Sequence, residues 1–214
     1  MKNYFAIIAI VIISCVGILH PQGFKVKAIG EQNFLFDGKS LGSQVSFFSN
    51  TPLEDVTGIS NDIQGGASFN ISDLKSLKGK IKVPVSSIMT GIETRDKHLQ
   101  SAEWLNGDSY PNISFEILKV SDITSLADNK LNLKIVGNFE VHGIEKEVIA
   151  NVTLTFLDEN EQTKLKAPGD LLGVQAKFNI KLSDFGINNK LIGQKVAENV
   201  EVNVNIVGTN YLNK

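Results

Sequence analysis

The chain has 214 residues, 21 basic against 23 acidic side chains, a formal charge of -2 and a single cysteine. A near-neutral balance excludes an electrostatic grip on nucleic acid, which needs clustered Lys and Arg, and one Cys excludes an internal disulfide. Past residue 23 only His98 and His142 remain as soft ligands, too few for an ordinary zinc site, so no metal is expected.

The N-terminus reads as an export leader. Lys2 precedes an apolar run from Tyr4 to Leu19, broken only by Ser14. A positive charge followed by a short apolar stretch is the pattern of a signal segment. At roughly 16 residues the run falls short of the ~20 that span a membrane. Ser14 and Gly17 are small enough to precede a cleavage, and Ile12-Ile13-Ser14-Cys15 resembles a bacterial lipobox, in which the Cys is lipidated. Both readings of Cys15 stay open: one more leader residue, or a lipid anchor. Residues 1–23 are therefore expected to be a signal or lipoprotein leader or N-terminal anchor, and 24–214 a single β-barrel domain, exported to the periplasm or cell envelope.

Beyond the leader, the main signal has a period of two. Strand signals at 33–36, 44–48 and 63–71 are weak. Leu77, Ile81, Val83 and Val85 then alternate with Lys78, Lys80 and Lys82. The rhythm breaks from 86 to 106. Ser86 and Ser87 can cap a helix, and Ile88, Ile92, Leu99 and Ala102 fall near one helical face, so a short helical insertion is expected there. Asn106-Gly107-Asp108 ends it.

Ile113, Phe115 and Ile117 make a short strand. Leu131, Leu133, Ile135, Phe139 and Val141 share one face, and Val148, Ala150, Val152, Leu154 and Phe156 another, separated by His142-Gly143-Ile144-Glu145, so 131–157 reads as one hairpin. Asp158-Glu159-Asn160-Glu161 reads as a solvated loop rather than a calcium site, and Pro168-Gly169-Asp170 as a turn. Alternation returns at 174–182 and 200–206.

Strands with one dry face must hide it, and an open sheet leaves unpaired edges. Closure into an antiparallel barrel answers both. The fold expected is all-β, a lipocalin-like antiparallel barrel of about eight strands with the insertion across one end, where Trp104 and Leu105 act as a plug. Such a barrel is just wide enough to be filled by side chains or to hold one small ligand. Ala150, Ala176, Gly79 and Gly137 are small inward residues that hint at space.

The insertion resembles the YceI-like family of bacterial lipid-binding proteins. The shared pattern is Thr90-Gly91, Arg95-Asp96, His98-Leu99, Ser101, the bulky pair Trp104-Leu105, Tyr110-Pro111 and Phe115. It continues with Gly137 through Val148 and with Ser183-Asp184-Phe185-Gly186. The chain departs from it in having Leu182 where the family has Arg, Trp104-Leu105 where it has two Phe, and no His in its early strand. The resemblance implies a hydrophobic central tunnel that holds a long isoprenoid (a polyisoprenoid) or another amphiphile such as a fatty-acid-like lipid.

The expected function is thus an exported, non-enzymatic carrier with no catalytic residues and no cofactor beyond its lipid. The alternative is a structural or interaction barrel with a self-filled core. Tunnel candidates are Phe115, Leu133, Ile135, Phe139, Val152, Leu154, Phe178 and Ile180. Thr90, Arg95, Asp96, His98, Trp104 and Tyr110 are candidates for the lid or a head-group clamp, Arg being suited to phosphate or carboxylate. The competing reading is that Arg95 and Asp96 merely tie the lid to the rim, with His98 exposed. His142 reads as an exposed hairpin-tip residue. Partners expected are an amphiphilic lipid, no nucleic acid, and a membrane reached through the N-terminus; a homodimer is allowed.

Overall fold

The computed structural model describes residues 23–211, within which ten strands form one antiparallel sheet closed on itself. They are β1 (Glu31–Asp37), β2 (Gln44–Asn50), β3 (Asp55–Ser60), β4 (Gln64–Asn70), β5 (Asp73–Pro84), β6 (Asn112–Ala127), β7 (Lys130–Val141), β8 (Ile144–Leu157), β9 (Leu171–Lys181) and β10 (Asn199–Thr209). The short helix α1 (Gly38–Leu41) interrupts what is otherwise one strand: β1 and β2 both pair with β10, Leu35 opposite Thr209 and Val45 opposite Val204. β3 and β4 are likewise halves of the next strand, pairing with β2 and β1 respectively. Counted by position the wall has eight strands, the expected barrel.

Alternation is the physical cause of this wall. Along β7, Leu131, Leu133, Ile135, Phe139 and Val141 are buried while Asn132 and Lys134 face water. The β7–β8 turn is the pair His142-Gly143, at φ 55° and 73°. Positive φ at both positions gives the twist that a two-residue hairpin needs.

The two ends of the barrel are built differently. At the lower end, Phe34, Phe69 and Phe156 are at most 1% exposed. Phe34 stacks on Phe69 at 5.8 Å between centroids and meets Phe156 edge-on at 5.7 Å. Phe24 slides beneath, 5.9 Å from Phe69 and 5.6 Å from Phe156. Backbone bonds pin this arm: the Phe24 amide donates to the Ile71 carbonyl at 2.9 Å and the Lys25 amide to Asp128 at 2.7 Å. At the upper end the wall is unsealed. β4 holds β5 from Gln64 to Asn70, but β3 reaches past β2 only through a single bridge, Ile59 to Met89. The β5–β6 connection folds across that gap.

Several expectations change. β3 escaped notice because its inward face is Val56, Gly58 and Ser60 while its largest apolar residue, Ile59, points out. β6 runs on to Ala127 rather than stopping near Ile117; three register shifts, beginning at Ile117/Lys119, break the period of two. Ser86 and Ser87 do not cap a helix. They sit in a 3-10 turn (Val85–Ser87), where the Ser87 hydroxyl donates to the Pro84 carbonyl at 2.6 Å. The helix α2 (Glu93–Gln100) starts later, after Ile92, without a side-chain cap. Ile92 and Ala102 are exposed, so the expected apolar face shrinks to Ile88 and Leu99. Asp158 and Glu159 are not a simple solvated loop. The Asp158 carboxylate accepts from the Lys27 amide at 3.1 Å, Glu159 accepts from the Gly169 amide at 2.6 Å, and Asn160 caps α3 (Glu161–Lys164). Residues 1–22, including Cys15 and all but the last residue of the expected leader, lie outside the described residues.

Candidate functional site

The inward faces enclose two apolar compartments. The upper one has a volume of about 550 Å³ and lies beneath the β5–β6 connection. Its walls include Val45 and Phe47 of β2, Val83 of β5, Ile180 of β9 and Val202 of β10; Ile88, Leu99, Trp104 and Leu105 roof it. Two of its lining serines are already bonded: the Ser49 hydroxyl accepts from the Ala197 amide at 2.9 Å, and the Ser60 hydroxyl meets that of Ser87 at 2.7 Å. The surface offered to a ligand is therefore apolar, with polar groups confined to the mouth. The lower compartment, about 70 Å³, lies deeper between β5, β6, β7, β8, β9 and β10. A third depression, about 640 Å³, lies on the outside of the wall, among Asn132, Thr153, Gln175 and Asn205. It is polar and open, so an apolar chain gains no burial there.

At the mouth, the lid is tied by one residue. The Asp96 carboxylate accepts from both the amide of Thr90, at 2.7 Å, and its hydroxyl, at 2.5 Å. Arg95 donates through Nε to the Thr90 hydroxyl at 3.0 Å and through Nη2 to the Thr90 carbonyl at 3.2 Å. Its Nη1 lies 3.7 Å from Glu54 in the β2–β3 turn. The bonds to Thr90 hold the lid's own turn together, and the Arg95–Glu54 pair alone in this knot reaches the neighbouring rim. Arg95 also borders the compartment, beside His98 and Lys195. A head group seeking its guanidinium would have to compete with Glu54.

The sequence-derived candidates distribute unevenly. Phe139 and Ile180 border the upper compartment, whereas Phe115, Ile135, Val152, Leu154 and Phe178 border the lower one. Leu133 is 3% exposed and borders neither. Thr90, Arg95, His98 and Trp104 gather at the mouth, with Asp96 behind Thr90. Tyr110 stands apart from them: its ring packs edge-on against His142 at 5.3 Å, over the β7–β8 turn. His142 is accordingly not a free hairpin tip, since its Nδ1 also lies 3.1 Å from the Phe185 carbonyl. Trp104 and Leu105 are half-buried against the core. Glu54 and Lys195 had no signal in the sequence, whereas Val83 and Val202 were visible as inward strand positions.

The turn Leu182–Phe185 closes the far side of this end. Gly186 follows it at φ 69°, and Phe185 is buried edge-on to Phe139 at 5.6 Å. The Ser183 hydroxyl donates to Glu198 at 2.7 Å. That bond, with Lys181 nearby, holds the Glu198 carboxyl below its ordinary range.

This architecture has known relatives. The chain is 28% identical over 170 residues to a UPF0312 protein of Pseudomonas fluorescens, spanning 77% of this chain and 82% of that one. A UPF0312 protein of Serratia proteamaculans is 29% identical over 151 residues, 71% of this chain and 72% of its own. Among solved structures, BcnA of Burkholderia cenocepacia superposes with a TM-score of 0.62 at 19% identity, covering 81% of this chain and 99% of BcnA. A domain from Saccharophagus degradans, described as polyisoprenoid binding and implicated in plant cell wall breakdown, superposes with a TM-score of 0.58 at 12% identity, covering 85% and 99%. At such identities the superpositions speak for the fold. The YceI-like domain model matches residues 39–208, nearly all of the barrel, and the chain belongs to that family.

Proposed function

We propose that this protein is an exported, non-enzymatic carrier that holds one amphiphile, a polyisoprenoid or similar lipid, with its chain in the barrel and its head at the mouth. The observation carrying this reading is the upper compartment, about 550 Å³ of apolar space beneath a lid whose charged residues stand only at the rim. Ligand pockets typically measure ~300–1,000 Å³, mostly apolar with a few polar groups that fix orientation. Binding draws on burial of the chain at about 25 cal/mol per Å² of apolar surface. Kinship with a polyisoprenoid-binding domain supports the same ligand class. The sequence pattern of a leader at 1–23 supports export, with Cys15 either one more leader residue or the site of a lipid anchor.

The self-filled alternative draws support from the lower part of the lumen, where Phe36, Phe115 and Phe178 border a space of about 70 Å³.

Trp104, the chain's single tryptophan, borders the upper compartment and reports on its occupancy. Titration of delipidated protein with geranylgeraniol is expected to shift its emission to the blue and saturate at one ligand per chain. Unchanged emission, together with no ligand retained in native mass spectra, overturns the proposal.

A further inference from the structure

We propose that Phe115, Phe139 and Phe178 form an aromatic septum across the lumen that sets the length of chain accepted. The ligand is then a short single-chain amphiphile, a mid-length acyl chain or a short isoprenoid, held wholly in the upper compartment. This rests on the carrier reading above and narrows its ligand.

The two compartments share no lining residue. The boundary falls between successive inward positions of each strand. Val83 faces the upper space and Ile81 the lower; Ile113 faces the upper and Phe115 the lower; Ile180 faces the upper and Phe178 the lower. On β7, Phe139 stands above and Ile135 below, with Gly137 between them. Gly137 makes the septum feasible. A Cβ there would collide with Cζ of Phe115, so the ring occupies the place of the missing side chain. This residue, which the sequence suggested would leave space, instead admits a ring.

The rings brace one another. Phe115 lies 5.6 Å from Phe178, Phe178 meets Phe139 edge-on at 5.2 Å, and Phe185 backs Phe139 at 5.6 Å. Phe139 and Phe178 are each 5% exposed. A chain entering at the mouth therefore meets a packed layer, and beneath it a space of only about 70 Å³ above the ring cluster of the lower end. The upper space, about 550 Å³, far exceeds the lower, about 70 Å³, so a chain too long for the first finds little room in the second.

The test compares palmitate, geranylgeraniol and undecaprenol as probes, read by Trp104 emission and native mass spectrometry. The wild-type protein is expected to bind palmitate or geranylgeraniol at one per chain, and undecaprenol at least about tenfold more weakly. The first two probes distinguish an acyl from an isoprenoid ligand. Phe178→Ala merges the compartments and is expected to strengthen undecaprenol binding about tenfold, with the shorter chains changing by less than about threefold. If that variant does not fold, Phe178→Leu keeps more of the layer and reads the same selective change in smaller measure. Undecaprenol binding to the wild type as tightly as the short chains, or a variant that moves all three affinities together, overturns the septum and leaves the carrier standing. No binding of any probe overturns both.

Discussion

Phe156→Ala is expected to lower the stability of the barrel by about 3–5 kcal/mol, the range for deleting a buried aromatic ring. Phe156 is 0% exposed and lies on the inward face of β8. It touches Phe34 edge-on from β1 and Phe24 from the arm, so its loss opens a hole where three separate segments meet. The arm should loosen with it, because among the described residues Phe24 would keep Phe69 as its one ring partner. Urea denaturation measures the first effect, and hydrogen exchange of the Phe24 and Lys25 amides the second. A loss below about 1 kcal/mol would mean that the lower end collapses around the gap, and that ring packing does not hold it shut.

Filling the upper compartment should have the opposite signature. Val83→Phe combined with Val202→Phe places two rings into the void from facing strands β5 and β10 and leaves Trp104 the single tryptophan. Adding bulk to a well-packed core costs about 1–3 kcal/mol, but here the space already exists. Stability is therefore expected to hold or rise, while uptake of geranylgeraniol falls at least about a hundredfold, some 2.7 kcal/mol. The self-filled reading predicts the reverse, a destabilised double variant with no binding to lose. Thermal melts and the Trp104 titration on the same samples separate the two.

The wall was legible in the sequence wherever one strand face is uniformly apolar. In β7, β8, β9 and β10 the apolar residues fall at every second position, and the structure buries nearly all of them. Legibility failed where local geometry breaks the period. The bulges in β6 shift Leu118 and Leu126 to exposed positions. The inward face of β3 is too small and polar to stand out. At the site, the segment from Thr90 to Trp104 stood out because it abandons alternation; Arg95 reaches Glu54 on the rim, while Asp96 bonds back to Thr90 within the segment. The partner of Arg95 on that rim, Glu54, is supplied by a turn remote in sequence, which one-dimensional spacing cannot reveal. Tyr110 lies in the same motif but packs on His142 over the β7–β8 turn, a contact with a residue remote in sequence. Gly137 carries the sharpest lesson. An inward glycine looks like a vacancy until the neighbouring ring is seen to occupy it.

The most direct measurement is lipid extraction of the protein purified from its native cells without detergent exchange, with native mass spectrometry of the intact sample alongside. One amphiphile per chain, released on denaturation and short enough for about 550 Å³, is the predicted result. Intact spectra at the bare polypeptide mass, extracts free of lipid, and no uptake of added isoprenoid or fatty acid would contradict it.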